Sequence, residues 1–181
     1  MKPPDIRISF QARDADITIR TITPEDERIE ADFVRNLSPE SRYLRFHHGL
    51  RELTPELLAR FTRIDYPSAM ALIATVRAAD VERQIGVARY AATPPGGDTA
   101  EVAIVVADDW QGCGVGTRLL LELRAVARAA GYRHLHMRVL PQNRRMIALA
   151  RRLGYEPKPS DEEPGASMLG KTLIDGERPE S

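Results

Sequence analysis

The stretch DDWQGCGVGTRLLLELRAVARAAG, residues 108 to 131, sets a glycine loop and an amphipathic run directly after the apolar run AEVAIVVA, residues 100 to 107. Gly112, Gly114 and Gly116 stand at alternate positions, so the backbone can turn its N–H groups toward one point without obstruction from Cβ atoms. A helix starting near Thr117 adds its positive N-terminus, and strand, loop and helix then follow in the order that binding of a diphosphate requires. Two better-known glycine patterns do not fit. A nucleotide-triphosphate loop carries Lys-Ser or Lys-Thr after its last glycine, whereas Thr117 and Arg118 follow Gly116. The dinucleotide fingerprint is GxGxxG with an acid about 20 residues on. Here the loop reads GxGxG, and no Asp or Glu lies between Glu122 and Glu156.

Working outward, Leu119, Leu120, Leu123, Val126, Ala127 and Ala130 form one apolar stripe of the helix, which Gly131 ends. Residues 100 to 107 are continuously apolar, as a central strand is, and PPGGD at 94 to 98 is a turn before it. The runs Ala69 to Val76 and Gln84 to Tyr90 predict a hairpin linked by the charged turn Asp80 to Arg83. Leu135, Met137 and Val139 alternate with His134, His136 and Arg138 in a further strand that Pro141 stops, and Asn143 begins a short helix through Leu153, closed by Gly154. Three times a hydroxyl residue precedes Pro-Glu: Thr23-Pro24-Glu25, Ser38-Pro39-Glu40 and Thr54-Pro55-Glu56. Each is an N-cap with proline at the first helical position and an acid facing the dipole, so three helices begin there. Strands are expected around Ile17, Ile19 and Ile22, from Tyr155 to Lys158 and from Met168 to Ile174. The sum is an α/β (α+β) domain, a mixed sheet flanked by helices without internal repeats.

Length and composition agree with a small enzyme. The chain has 181 residues, 43% hydrophobic and 29% charged, with a formal net charge of +0, so no bulk polyanion such as nucleic acid is expected as its main partner. The charge is unevenly placed: from Leu123 to Tyr155 there are eight arginines and no acid, which favours a ligand with several phosphates or marks solvated helix faces. Cys113 is the sole cysteine, which excludes an internal disulfide, and the four histidines have no metal-ligand spacing; no metal is expected. MKPPDIRISF lacks a run of signal length and no segment is of spanning length, so no membrane partner and a cytoplasmic location are expected.

The pattern Gln-x-x-Gly-x-Gly at Gln111, Gly114 and Gly116, with Gly112 and Cys113 between, resembles the coenzyme A pyrophosphate loop of the GNAT N-acetyltransferase superfamily. The resemblance covers Ile17 to Ile174, with residues 1–16 as an N-terminal extension and 175–181 as a tail. LSPESRYLRFHHGLRELTPELLARFTRIDY at 37 to 66 and VLPQNRRMIALARRLGY at 139 to 155 are similar to the catalytic domain of bacterial Pat-type protein lysine acetyltransferases. Such domains are usually fused to a regulatory region; with some 16 residues ahead of the first expected strand, none is expected within this chain. The resemblance implies a central, mostly antiparallel sheet, acetyl-CoA as co-substrate, and a protein lysine as acceptor, with a small amine or an amino acid as the alternative. It leaves open a homodimer and, more distantly, an acyl-CoA sensor without turnover.

It also implies roles for single residues. A free lysine amine, of pKa about 10.4, is mostly charged at neutral pH, so a base must take a proton before it attacks a thioester. Glu101, at the start of the strand entering the loop, occupies the family's usual place for that base; read by itself, it is equally a solvated strand-end residue. The backbone of Ile104, Val105 and Val106 would bind the pantetheine arm, and Gln111, Gly112, Cys113, Gly114, Val115, Gly116 and Thr117 the diphosphate. Asn143 takes the position of a coenzyme contact, or is simply an N-cap. Ala150 stands where many superfamily members have a tyrosine that protonates the leaving thiolate; with a thiol pKa near 8.5, the thiolate can leave without a strong acid. Cys113 invites a covalent route, which the family's loop geometry disfavours, and His47 and His48 fall on the acceptor side.

Overall fold

In the computed structural model, residues 1–47, 52–159 and 167–173 are described. Eight strands make one sheet: β1 (Arg7–Ala12), β2 (Ala15–Thr21), β3 (Ala69–Ala78), β4 (Val81–Ala92), β5 (Thr99–Val106), β6 (His134–Val139), β7 (Glu156–Lys158) and β8 (Ser167–Thr172). Their order is β1-β2-β3-β4-β5-β6-β8-β7, and every neighbouring pair is antiparallel except β5 with β6. The helices are α1 (Glu27–Asn36), α2 (Pro39–Phe46), α3 (Pro55–Thr62), α4 (Val115–Ala129) and α5 (Arg144–Arg152). The fold is the mixed sheet flanked by helices that the pattern of periodicities predicts, with the mostly antiparallel pairing that the family resemblance implies.

Alternation along the strands divides the core in two. Leu72, Ala88, Ala100, Val102 and Leu135 pack with Val115, Leu119, Leu120 and Leu123 of α4 on one face. Ala71, Ile73, Val87 and Val105 meet Phe33 and Val34 of α1 and Leu57, Leu58 and Phe61 of α3 on the other. A buried polar knot holds that second face. Glu30 accepts from the Gln84 amide and from Arg89 at 3.3 Å, and Arg89 lies 4.2 Å over the Phe61 ring. Burial lowers the pKa of Arg89, and the Glu30 charge opposes that shift.

Several boundaries differ from expectation for local reasons. The sheet begins earlier than Ile17: Arg7–Ala12 pairs with residues 15–20 of β2, and its burial alternates between exposed and intermediate, the signature of an edge strand with little apolar signal. The hairpin turn is Ala79–Asp80, both at positive φ, so the charged residues Glu82 and Arg83 lie within β4 instead. Ser38 and Thr54 cap α2 and α3 as expected, accepting from Ser41 N at 3.1 Å and Leu57 N at 3.3 Å. At Thr23 the roles reverse. The Asp26 carboxylate accepts from the Thr23 N–H at 2.8 Å, a turn of 3₁₀ helix spans Pro24–Asp26, and α1 follows it. The last strand ends at Thr172, and Ile174 lies outside the described residues.

Asp26 also receives two bonds from Arg20, at 2.6 and 2.7 Å, and Arg20 reaches Glu82 across the sheet at 3.1 Å. Burial raises the Asp26 pKa, but the Arg20 and Thr23 hydrogen bonds outweigh it and leave it below the ordinary 3.8. Arg20 likewise holds Glu82 below 4.5. A carboxyl with a depressed folded pKa stabilises above its unfolded value and loses that contribution as pH falls through the folded one. Thermal unfolding followed by circular dichroism is therefore expected to fall on acidification below about pH 4, and Arg20→Met to flatten that fall.

Candidate active site

β5 and β6 run side by side for three residue pairs only, Thr99 with His134, Ala100 with Leu135 and Glu101 with His136. Beyond Glu101 each strand keeps a different partner. β5 stays paired with β4 as far as Val106, while Met137, Arg138 and Val139 of β6 pair with β8. The sheet forks there, and among the described residues no strand pairs with the β6-facing backbone edge of residues 102 to 106. The cleft between the prongs is open to solvent, with a cavity volume of about 40 Å³. Its walls come from residues 102–104 of β5, 137–139 of β6, the C-terminal end of α2 at Arg45 and His47, and Asn143 with Met146 at the start of α5.

Glu101 sits at the apex of this fork. Its register partners Ala91 and His136 share its face, the one that α1 to α3 cover. No bulge interrupts β5 against β4; the irregularity lies between β3 and β4, where Ala74 and Thr75 face Gly86 and Gln84. Arg138 grips both Glu101 oxygens, Nε to one and Nη2 to the other, each at 2.9 Å. Both side chains keep some solvent access, 27% for Glu101 and 34% for Arg138. A carboxylate oxygen has a second lone pair, so a gripped Glu101 still accepts a proton from a neighbour or a water.

At the wide end of the fork stands the glycine loop. Its helix, α4, begins at Val115 rather than near Thr117, so Gly116 and Thr117 belong to the first turn and Gly114 is the N-cap. Gly112 and Gly114 have φ of +77° and +93°, and a Cβ on either would point into open space with no heavy atom within 4 Å. Gly116 differs: its Cβ would touch Leu149, Val106 and Ile104 at ordinary contact distances of 3.5 to 3.7 Å. Only two of the three glycines thus answer a backbone demand. The first N–H groups of α4 have no intrahelical acceptor and point out of the helix end. Arginines converge on this spot: Arg145 donates to Gln111 Oε1 at 3.2 Å, Arg152 to Thr117 Oγ1 at 3.0 Å, and Arg13 to the Gln111 carbonyl at 3.4 Å. Free N–H groups, an empty volume above two glycines and three guanidinium groups suit a diphosphate.

Other expected ligands show structural work. The Gln111 amide donates to the Val106 carbonyl at 3.1 Å and to Ser41 Oγ at 3.2 Å, fastening the loop to β5 and α2. Asn143 caps α5, its Oδ1 accepting from Met146 N at 3.1 Å, and also lines the cleft. The Cys113 thiol donates to the Trp110 carbonyl at 2.9 Å. Ile104 and Val106 pack against the α4 core and Val105 against the opposite one, leaving their backbone as the part available to a ligand. Ala150 is fully buried. His47 ends α2 in the left-handed conformation at the cleft wall, and His48 lies outside the described residues.

Three contributors carried no signal readable along the chain. Asp108 accepts from Ser38 N at 2.9 Å, Ser38 Oγ at 2.8 Å and Ser41 Oγ at 2.7 Å, tying the loop to the start of α2; burial raises its pKa, but these donors bring it below the ordinary value. Arg138 and Arg13 act on residues 37 and 98 positions away. Strand alternation in β6 places Arg138 on one face, yet nothing in it names Glu101 as the partner.

Residues 32–155 match the model of the acetyltransferase (GNAT) family. Acetyltransferase PA5475 of Pseudomonas aeruginosa is 37% identical over 139 residues, 77% of this chain and 74% of that protein. Acetyltransferase Pat of Mycolicibacterium smegmatis is 31% identical over 136 residues, 75% of this chain but 40% of that longer protein. The crystal structure of the GNAT domain of Streptomyces lividans PAT superposes with a TM-score of 0.82 at 32% identity, covering 92% of this chain and 97% of that one. Similar to these proteins over most of its length, the chain belongs to the GNAT acetyltransferase family of acetyl-CoA-dependent enzymes.

Proposed function

We propose that the protein transfers an acetyl group from acetyl-CoA to the ε-amine of a protein lysine, by direct attack on the thioester. The observation that carries this reading is Glu101 at the apex of an open cleft whose other end is the anion cradle. The similarity to the Pat domains supports the acceptor class. So does the wall of the cleft, which is open and carries Arg45, His47 and Arg138 where a closed acidic pocket would mark a small polyamine-like acceptor. We place this activity in the cytoplasm; no helix among the described residues is long and apolar enough to cross a membrane.

Acetyl-CoA supplies an activated acyl carbonyl. The cradle at Gly112 to Thr117 and the flanking arginines fix its diphosphate, and the free edge of Ile104 to Val106 orients the arm that follows. Glu101 takes the proton that the attacking ammonium must lose, directly or through a water, while Arg138 holds its carboxylate in one orientation. A backbone N–H of the same edge donates to the carbonyl oxygen as negative charge develops there. Among the described residues lining the cleft there is no tyrosine, and the departing thiolate is stable enough to leave unassisted.

Two measurements test the proposal. CoA at one hundred times its dissociation constant is expected to stabilise the fold by about 2.7 kcal/mol, read as a rise in Tm; an unmoved Tm at saturating CoA removes the cofactor site. Acetyl-CoA turnover across a panel of folded proteins and small amines then reads the acceptor. Faster transfer to free amines than to any protein lysine overturns the acceptor class while leaving the enzyme.

A further inference from the structure

One side chain in the cleft is unexplained by acetyl transfer to a plain amine. Arg45, on the last turn of α2, lines the cleft with its Nε sealed from solvent, and among the described residues no hydrogen bond or ion pair holds its guanidinium. It rests on the Phe46 ring, 4.9 Å from Cζ to the centroid. The charges around it are already committed elsewhere. Glu101 is gripped by Arg138, and Glu30 by Arg89 and Gln84. Three guanidinium groups therefore share two carboxylates, and among the described residues Arg45 is the one left without a counter-ion. A buried polar group without a partner is destabilising, the more so when charged, and a ligand that completes it relieves that cost.

We infer that this cleft binds a carboxylate carried by one of the two reactants, with Arg45 as its counter-ion. The inference rests on the acetyltransferase reading of the same cleft and narrows its substrates. Two sources supply that chemistry: an acyl group with a terminal carboxylate, or an amine acceptor bearing its own carboxylate, such as a free amino acid. Arg45 suits either, because a guanidinium offers two parallel N–H donors to a carboxylate and remains cationic at neutral pH. Burial and the nearby Arg89 push Arg45 down to about 10, against the pull of Glu30 and Glu101, so an added anion would relieve a real excess of positive charge.

Equilibrium titration separates the two sources without needing turnover. In one arm the protein is titrated with acetyl-CoA and with succinyl-CoA. In the other, protein saturated with CoA is titrated with lysine amide and with free lysine, which differ by the carboxylate alone. A preference of about tenfold or more for the charged member is expected in one arm, and that arm names the source. Arg45→Met is expected to level the preference and Arg45→Lys to keep part of it. Equal binding within both pairs, or a preference that survives Arg45→Met, overturns the inference while acetyl-CoA binding stands. Failure of acetyl-CoA itself to bind removes the acetyltransferase reading and this inference with it. If the Met variant does not fold, Arg45→Lys takes its place, and a preference that it leaves at the wild-type level overturns the inference.

Discussion

Glu101→Gln keeps the shape of the side chain and one acceptor for Arg138 but removes the proton acceptor, and turnover is expected to fall by about 10² to 10⁴ with CoA affinity nearly unchanged. The split follows from position: Glu101 stands at the apex of the fork, whereas the cradle lies at the far end of β5. Raising the pH toward about 9.5 should partly restore the variant, because more of the amine, of ordinary pKa about 10.4, is then neutral before it arrives. Cys113→Ala should retain most activity, since direct transfer leaves no step for an acyl-cysteine. Initial rates and CoA affinity for both variants between about pH 6.5 and 9.5 check this. A fully active Glu101→Gln beside an inactive Cys113→Ala would replace the scheme with a ping-pong one.

Gly114→Val is expected to abolish the stabilisation by CoA. Gly114 holds φ at +93°, which a β-branched residue resists, and its Cβ would enter the empty volume over the first turn of α4. Gly116→Ala should be far milder, because that Cβ finds ordinary contacts at 3.5 Å or more within the core. Calorimetric titration of both variants with CoA reads the contrast. Undiminished CoA affinity in a folded Gly114→Val protein would show that the loop is not the cradle.

Much of this fold is written in local pattern. The stripe Leu119, Leu120, Leu123, Val126 and Ala127 is buried as its spacing requires, and two of the three Pro-Glu starts are capped by their hydroxyl residues. What the chain does not reveal locally are the pairings made across it. β1 exposes one face and half-buries the other, so its apolar signal is faint. The fork arises because β5 and β6 part after three pairs while β4 and β8 go on pairing along their outer edges, a divergence between segments far apart in sequence. Glu101 was recognisable by family likeness, but its clamp by Arg138 is a contact across 37 residues. Gln111 and Asn143 were legible as positions, and their hydrogen bonds within the protein became visible only in three dimensions.

The fork also bears on how the molecule holds together. Between β5 and β6 the sheet is stitched by Thr99, Ala100 and Glu101 with their opposites, so its longer part, β1 to β5, and the flap of β6, β8 and β7 share a seam three rungs long. A ligand lying against the open edge of β5 would act as a splint across that seam, supplying from outside the rungs the polypeptide lacks. Binding and consolidation of the sheet would then be one event, and the protein would enter its chemistry mechanically stiffer than it began.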